Sequence, residues 1–296
     1  DGCWNLCEAA FRCPSVSNEG QSVLPMTFVI GSRVRKRLKK KWINQQGAQP
    51  LAPVNDRQSF VKLIPPTAQV LEIGPFAAPM LRGPNISYVD VMSTHDLRAR
   101  AIQLGLDSEK VPKINWVSTG SDLSVVRDQF NAVVSSHAIE HQPDIIGHLQ
   151  DIADLLLPSG RYFLLIPDHR YCFDHFFVPS TAQQMIDAHL EKRTVHPDSA
   201  VIAHLAHTTH NDAARHWQGD HGDPEENRAE RTKMAIDALE ASHGSYIDVH
   251  AWFFTPETFV NTMTSLSKSK HIPFTVGRMF PTRENALEFW VILRKI

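Results

Sequence analysis

Short apolar runs alternate with helical periodicity along most of this chain, from about residue 60 onward. Five runs have the length and continuous hydrophobic character of strands buried on both faces of a sheet. They span residues 68–73, 86–91, 114–118, 130–135 and 161–166. Residues 144–157 repeat their apolar positions with a helical period, and we expect Pro158-Ser159-Gly160 to end that helix. Strands that alternate with helices form right-handed βαβ units, which predicts a doubly wound, Rossmann-like and mostly parallel sheet.

This regularity is lost between about residues 169 and 250 and returns near the C-terminal end. The sequence Thr-Pro-Glu at 255–257 is typical of a helix start, because Thr caps and Pro suits the first helical position. Two further strands are predicted at residues 274–279 and 286–293. The irregular segment therefore becomes a partly helical, His-rich insert between strands 5 and 6, and its position suits a lid.

The first 59 residues follow a different pattern. Residues 33–41 read RVRKRLKKK, and an apolar stripe beside this basic face predicts an N-terminal helix and linker over residues 26–59. We favour a helix docked by its stripe, with contact to an anionic surface as the alternative. Residues 1–25 hold three of the four Cys, and we interpret them as a flank or extension, with a zinc site as the alternative. Residues 60–296 form the main predicted domain.

Composition narrows the function classes. A formal net charge of -2 over 296 residues gives no electrostatic case for nucleic-acid binding. No apolar run approaches the roughly 18 residues that a membrane-spanning helix needs. Because Cys172 is alone in the main domain, we expect a reducing compartment, the cytoplasm. The unusual number is 16 His, of which eleven lie within residues 169–250.

Three features converge on one predicted ligand site. The first strand runs into a turn at Gly74, where a backbone without a side chain allows a ligand to approach closely. Asp90 ends the second strand, where a carboxylate suits a ribose diol. Asp122 follows the third strand and is suited to accept a hydrogen bond from an adenine amino group. In a doubly wound sheet these positions meet outside the carboxyl ends of the strands.

Three segments then resemble the class I S-adenosylmethionine (SAM)-dependent methyltransferases of the small-molecule branch. They read VLEIGPFAAP, YVDV and FNAVVSSHAIEHQPDIIGHLQDIADLLLPSGRYFLLIPD. Phe76 and Ala78 stand where the family has its second and third Gly. The resemblance implies an α/β fold with a seven-stranded sheet whose last strand is antiparallel, and SAM as cofactor. It implies cofactor contacts by Glu72, Gly74, Pro75, Phe76, Asp90, Val91, Asp122, Leu123 and Ser136.

His137, Glu140 and His141 follow the fourth strand at helical i, i+3, i+4 spacing. On a helix they would share one face at the mouth of the site. The spacing is similar to the Glu-x-x-Glu-His metal site of ubiquinone-pathway and small-RNA methyltransferases, with His137 in place of the first Glu. One interpretation is therefore that these three residues bind a divalent metal. We favour the alternative interpretation, in which His137 or His141 is a general base or part of the pocket wall.

The stretch after the fifth strand, PDHRYCFDHF, offers two further candidate bases. His169 or His175 would accept a proton, with a neighbouring Asp to orient the imidazole. This stretch is similar to one in bacterial methyltransferases associated with glycans, which favours a saccharide as the acceptor.

The predicted function is therefore O-methylation of a saccharide or another hydroxyl-bearing small molecule. Two alternatives stay open: a metal-dependent hydrolase or oxygenase built on the His-rich segment, and a catalytically silent SAM-binding module. The sequence leaves the oligomeric state open.

Overall fold

The structure is a computed structural model that describes residues 53–120 and 122–296. Seven strands are present in these residues, and all of them belong to one sheet. They are β1 (Val70–Ile73), β2 (Ile86–Asp90), β3 (Trp116–Val117), β4 (Phe130–Ser136), β5 (Leu156–Pro167), β6 (Phe274–Phe280) and β7 (Glu288–Lys295). The predicted extension, the basic segment at 33–41 and Ser121 lie outside the described residues.

The order of the strands across the sheet is β3-β2-β1-β4-β5-β7-β6. The pairs β2–β3, β1–β2, β1–β4 and β4–β5 are parallel, whereas β7 runs antiparallel to both of its neighbours. The chain reverses its direction of winding between β1 and β4, which creates the crevice where ligands bind in such sheets. The predicted fold class, a doubly wound sheet with an antiparallel last strand, is confirmed.

Helices flank the sheet and fill the insert between β5 and β6. They are α1 (Arg57–Val61), α2 (Thr94–Gln103), α3 (Ile145–Leu155), α4 (Ala182–Leu190), α5 (Asp198–His207), α6 (Ala213–Trp217), α7 (Arg228–Ser242) and α8 (Pro256–Lys268). Side-chain caps set several of the starts: Asp144 accepts from the Gly147 N–H, and Thr255 forms a capping box with Thr258. Four helices, α4 to α7, lie in the insert. No helix among the described residues is long and apolar enough to cross a membrane.

The prediction that Pro158-Ser159-Gly160 separates a helix from a strand was wrong. Helix α3 ends at Leu155 and β5 begins at the next residue, so the three turn residues lie inside the strand. The β4–β5 register shifts there, and Ser159 adopts a left-handed φ of 64°. A Cβ on Gly160 would lie 2.8 Å from the backbone oxygen of Leu157. Turn-forming residues thus form a bulge here rather than end the element.

Two hydrophobic clusters cover the two faces of the sheet. Along β5, Tyr162 and Leu164 belong to one cluster and Phe163 to the other, because successive strand side chains point to opposite faces. Helices α3 and α8 cover the first face. Fully buried Phe60 of α1 covers the second, with its ring 5.5 Å from that of Phe163. Burial of a Phe side chain of this kind contributes about 2–3 kcal/mol. The two-sided core fixes the sheet and so positions the strand ends that form the site.

Candidate functional site

A cavity of about 460 Å³ opens at the carboxyl ends of β1, β2 and β4, where the winding of the sheet reverses. At one end it is lined by the turns that follow these strands. At the other end it is lined by residues of the insert, namely Phe173, Asn211, Tyr246, Asp248 and His250. The insert therefore forms part of the cavity wall.

The turn after β1 is left-handed at two residues. Gly74 has a φ of 64° and Phe76 a φ of 40°, and both line the cavity. A Cβ on Gly74 would meet no heavy atom within 4 Å. Glu72 does not line the cavity: it is buried, and its oxygens accept from the N–H groups of Met80 and Leu81 at 2.7 and 3.1 Å. Burial raises the pKa of Glu72 to about 7. The two hydrogen bonds of this carboxyl group hold the following loop in place.

Pro75, the third predicted contact in this turn, is not among the lining residues. Asp90, at the end of β2, lines the cavity together with Val91. Its Oδ1 accepts from the N–H of Val91 at 2.7 Å, and its Oδ2 lies 3.4 Å from the N–H of Phe76. Burial raises the pKa of Asp90 to about 6, against the effect of these backbone donors. The turn and the carboxylate thus form one wall.

The two acids predicted to bind the nucleoside part differ in position. Unlike Asp90, Asp122 is exposed and lies outside the cavity. Its Oδ1 accepts from the Ser124 N–H at 2.8 Å, and hydrogen bonds from Ser124 lower its pKa. Leu123 is buried and does line the cavity, beside Gly120. The wall after β3 is therefore apolar and backbone-lined rather than acidic.

His137 lies at the end of β4 in the left-handed region, with a φ of 51°. Both it and Ser136 line the cavity. Nε2 of His137 lies 2.7 Å from Oε2 of Glu288. This oxygen also accepts from Arg57, and Oε1 of the same carboxylate accepts from Trp290 Nε1. Although burial opposes it, the bonds to His137 and Arg57 lower the pKa of Glu288 to about 2. A strained backbone position is thus held by an ionised carboxylate from another strand.

The helical face predicted for His137, Glu140 and His141 does not form. A short 3₁₀ turn covers Ile139–His141, and α3 begins only at Ile145. His137 turns towards β7, while Glu140 and His141 turn towards the insert. The structure therefore separates His137 from the other two members of the predicted metal set.

Glu140 and His141 instead meet His250. Oε1 of Glu140 lies 3.9 Å from Nε2 of His141 and 3.9 Å from Nε2 of His250. Nδ1 of His141 is 2.9 Å from Asp248, and Nδ1 of His250 is 2.6 Å from Asp174. Two carboxylate–imidazole pairs thus converge on a third carboxyl group at the insert end of the cavity.

The pKa values of the imidazoles of His141 and His250 are shifted in opposite directions. Burial lowers the pKa of His250 to about 3. Burial also disfavours the charged form of His141, but the Asp248 carboxylate raises the pKa of this imidazole to about 9. The pairing lowers the pKa of Asp248 in turn, whereas burial raises that of Asp174 to about 6.

The other two predicted bases do not reach the cavity. His169 is buried in a 3₁₀ turn behind the site, and burial lowers its pKa. His175 places Nδ1 2.7 Å from the carbonyl oxygen of Arg170 and stacks on His221 at a centroid distance of 3.5 Å. Both side chains belong to the packing of the insert.

Four residues at the cavity were not predicted in their observed roles. A neighbouring Asp was expected to orient His169 or His175, whereas Asp174 is bonded to His250. Glu288 is a carboxylate within an otherwise apolar predicted strand, and such a position indicates a residue that needs a polar partner. Asp248 and His250 directly precede the point where regular structure resumes, but nothing local in the sequence distinguishes them from the other His and Asp residues of the insert.

No protein-family model and no curated protein sequence matches the chain. Solved structures similar to it include the CcbJ methyltransferase from Streptomyces caelestis, at 10% identity and TM-score 0.43, covering 81% of this chain and 94% of that chain. Another is a SAM-dependent methyltransferase, possible histamine N-methyltransferase, from Thermotoga maritima, at 13% identity and TM-score 0.40, covering 81% and 86%.

A third similar structure, a SAM-dependent methyltransferase from Mesorhizobium loti, has 13% identity and TM-score 0.39, covering 80% of this chain and 96% of that chain. All three are described as methyltransferases, and at identities of 10–13% the likeness is one of fold.

Proposed function

We propose that this chain is a SAM-dependent methyltransferase that acts on a hydroxyl group of a saccharide or of another small molecule. The proposal rests on one observation: a single cavity joins the turn at Gly74 and Asp90 to the imidazole and carboxylate groups of the insert. A cofactor and an acceptor bound at its two ends would face each other.

The residues at the strand end of the cavity fit SAM. Gly74 leaves open space for a ligand beside the backbone, and buried Asp90 offers a carboxylate to a diol. Leu97 and Leu123 supply apolar surface for a base. When bound there, SAM supplies a methyl group that is already electrophilic, so the protein's task is alignment and proton removal.

His137 is the residue at the cavity best suited to remove the proton of an acceptor hydroxyl. Glu288 accepts from Nε2 at 2.7 Å, which leaves Nδ1 as the nitrogen that takes up the proton. Glu288 thus acts as a positioning residue. Asn211 and Tyr246 of the insert line the cavity and suit polar contacts with a hydroxyl-rich acceptor.

Calorimetric titration with S-adenosylhomocysteine (SAH) tests the cofactor half of the proposal. We expect stoichiometric binding that Asp90→Ala weakens at least about tenfold, since hydrogen bonds to a charged group are worth about 1.5–3 kcal/mol. Asp122→Ala is the matched control, because its carboxyl group lies outside the cavity. Absence of SAH binding, or equal losses in both variants, would refute this half.

Transfer of a labelled methyl group from SAM to a panel of saccharides and amines tests the acceptor half. We expect turnover with hydroxyl acceptors and a fall in kcat of about 100-fold or more in His137→Asn, the range of general-base catalysis. SAH affinity should stay within about twofold in that variant. Methylation of amines alone would show that the acceptor class is wrong while leaving the cofactor intact.

A further inference from the structure

Three potential metal ligands converge beneath the insert end of the cavity. They are Oε1 of Glu140, Nε2 of His141 and Nε2 of His250, and these atoms all lie within 4.8 Å of one another. The carboxylate oxygen is 3.9 Å from each nitrogen. Metal bonds of about 2.1 Å place neighbouring ligand atoms about 3.0–3.4 Å apart, so side-chain rotations that bring the carboxylate oxygen about 0.5–0.9 Å closer to each nitrogen are needed to close the set.

Both imidazoles are oriented in the way that metal-binding imidazoles usually are. Nδ1 of His250 is hydrogen-bonded to Oδ2 of Asp174 at 2.6 Å, and Nδ1 of His141 lies 2.9 Å from Oδ1 of Asp248. Such partners fix the ring and direct Nε2 towards the ion. The two ring planes stand at 87° with centroids 4.5 Å apart, so the in-plane lone pairs of the rings are able to meet at one point.

The carboxyl group of Glu140 is otherwise difficult to explain. Its side chain is completely buried, and neither of its oxygens has a hydrogen-bond partner among the described residues. A buried polar group without a partner costs about 1–3 kcal/mol, and more when it is charged. A cation between Glu140 and the two Nε2 atoms would satisfy this group.

We propose that Glu140, His141 and His250 bind one divalent transition-metal ion, with Asp174 and Asp248 as the carboxylates that orient the two imidazoles. Two nitrogens and one carboxylate oxygen suit Zn²⁺, Fe²⁺, Mn²⁺ or Co²⁺ better than Mg²⁺ or Ca²⁺, which prefer oxygen ligands only. His141 and His250 line the cavity, so remaining coordination positions would face a ligand. A role in holding an acceptor oxygen rests on the proposed function, whereas the metal site itself does not.

A second group of imidazoles in the insert supplies a natural control. His175, His216 and His221 also bring their nitrogens within 4.8 Å. The rings of His175 and His221 are stacked, however, with centroids 3.5 Å apart and planes 9° from parallel. Lone pairs lie in the ring planes, so the lone pairs of two stacked rings lie in two parallel planes and cannot converge on one ion. We therefore expect no chelation there.

The test is titration of the full chain, freed of metal by a chelator, with Zn²⁺ by calorimetry and with Co²⁺ by visible absorption. We expect one equivalent of either metal, with Co²⁺ bands typical of nitrogen and oxygen ligands. Glu140→Gln and His250→Asn should each weaken binding at least about 100-fold, and Asp174→Asn by about 10–100-fold, the usual effect of an orienting partner. His216→Asn should leave the affinity unchanged.

Folding of the variants is measured separately by thermal unfolding of the metal-free proteins. Glu140→Gln keeps the side-chain volume and is expected to unfold at or above the temperature of the original chain, because it replaces a buried carboxyl group by an amide. Added Zn²⁺ should raise the unfolding temperature of the original chain and of His216→Asn, but not that of Glu140→Gln.

Two results would overturn the metal site: no stoichiometric binding by the folded chain, or binding that His216→Asn abolishes and Glu140→Gln leaves intact. SAH titration of Glu140→Gln, expected to match the original chain, distinguishes this failure from failure of the proposed function. Metal binding without SAH binding would leave the site standing and refute only its role in methyl transfer.

Discussion

Replacing Glu288 by Gln should destabilise the protein at neutral pH and much less in acid. The carboxylate of Glu288 is 7% exposed and binds His137 and Arg57, and the bonds to them lower its pKa from 4.5 to about 2. A group whose pKa falls on folding stabilises the protein above its unfolded pKa and loses that effect as the pH drops through its folded pKa. At about 1.4 kcal/mol per pH unit, this shift corresponds to about 3 kcal/mol at pH 7.

The amide of Glu288→Gln keeps the size of the side chain but loses the charge. It also places an NH₂ group, which is a donor, where Arg57 and Trp290 donate, so a hydrogen bond is lost and the expected loss of stability becomes larger. The free energy of unfolding at pH 7 should therefore fall by about 3 kcal/mol relative to the original chain. By pH 3 more than half of this difference should be gone, because Glu288 of the original chain is then almost fully protonated when unfolded but still mostly ionised when folded, so folding has to release a proton.

Urea unfolding followed by tryptophan fluorescence measures both values, at pH 7 and across the acid range in which the original chain stays folded. Glu284→Gln is the matched control on the same segment, since Glu284 is exposed and should change stability by less than about 0.5 kcal/mol. The reasoning fails if Glu288→Gln is as stable as this control at pH 7. It also fails if the difference between variant and original chain does not shrink as the pH falls.

Three other predictions follow from the site and the core. Gly74→Ala should cost about 1–2 kcal/mol of stability because of the left-handed φ of 64°, and should weaken SAH binding because the new Cβ enters the cavity; thermal unfolding and calorimetry measure the two effects. SAH affinity should fall as the pH drops through about 6, where buried Asp90 takes up a proton, and a steep fall retained by Asp90→Asn would contradict this cause. Tyr162→Phe should cost about 1–3 kcal/mol in urea unfolding, since the hydroxyl bonds Ser135 at 2.8 Å and His148 at 3.1 Å in the core; a loss below about 0.5 kcal/mol would contradict it.

The sequence by itself determined the sheet and the strand end of the cavity. Apolar runs and helical periods are local patterns, so they report strands and helices without knowledge of the fold. Because parallel strands place their carboxyl ends on one edge, Gly74, Asp90 and His137 could be assigned to one crevice from their positions after three runs. The structure places these three around the same cavity.

Local sequence patterns did not predict side-chain positions where the backbone departs from a regular period. The i, i+3, i+4 spacing of His137, Glu140 and His141 brings side chains together only on a continuous helix, and the chain forms a left-handed residue at His137 followed by a 3₁₀ turn instead. Asp122 stands at the expected place in the sequence, yet a hydrogen bond from Ser124 holds its carboxylate outside the cavity. Neither turn conformation is encoded in hydrophobic periodicity.

Only the tertiary structure decided which carboxylates and imidazoles meet. His137 pairs with Glu288, 151 positions along the chain, and His250 pairs with Asp174, 76 positions away. The chain has 16 His and 32 Asp and Glu residues, and no repeating pattern in its sequence distinguishes these pairs from the stack at His175. The first pair forms because the sheet brings the start of β7 near the end of β4, and the second forms where the insert packs over the sheet edge. A buried charged group is stable only where the fold provides it a partner.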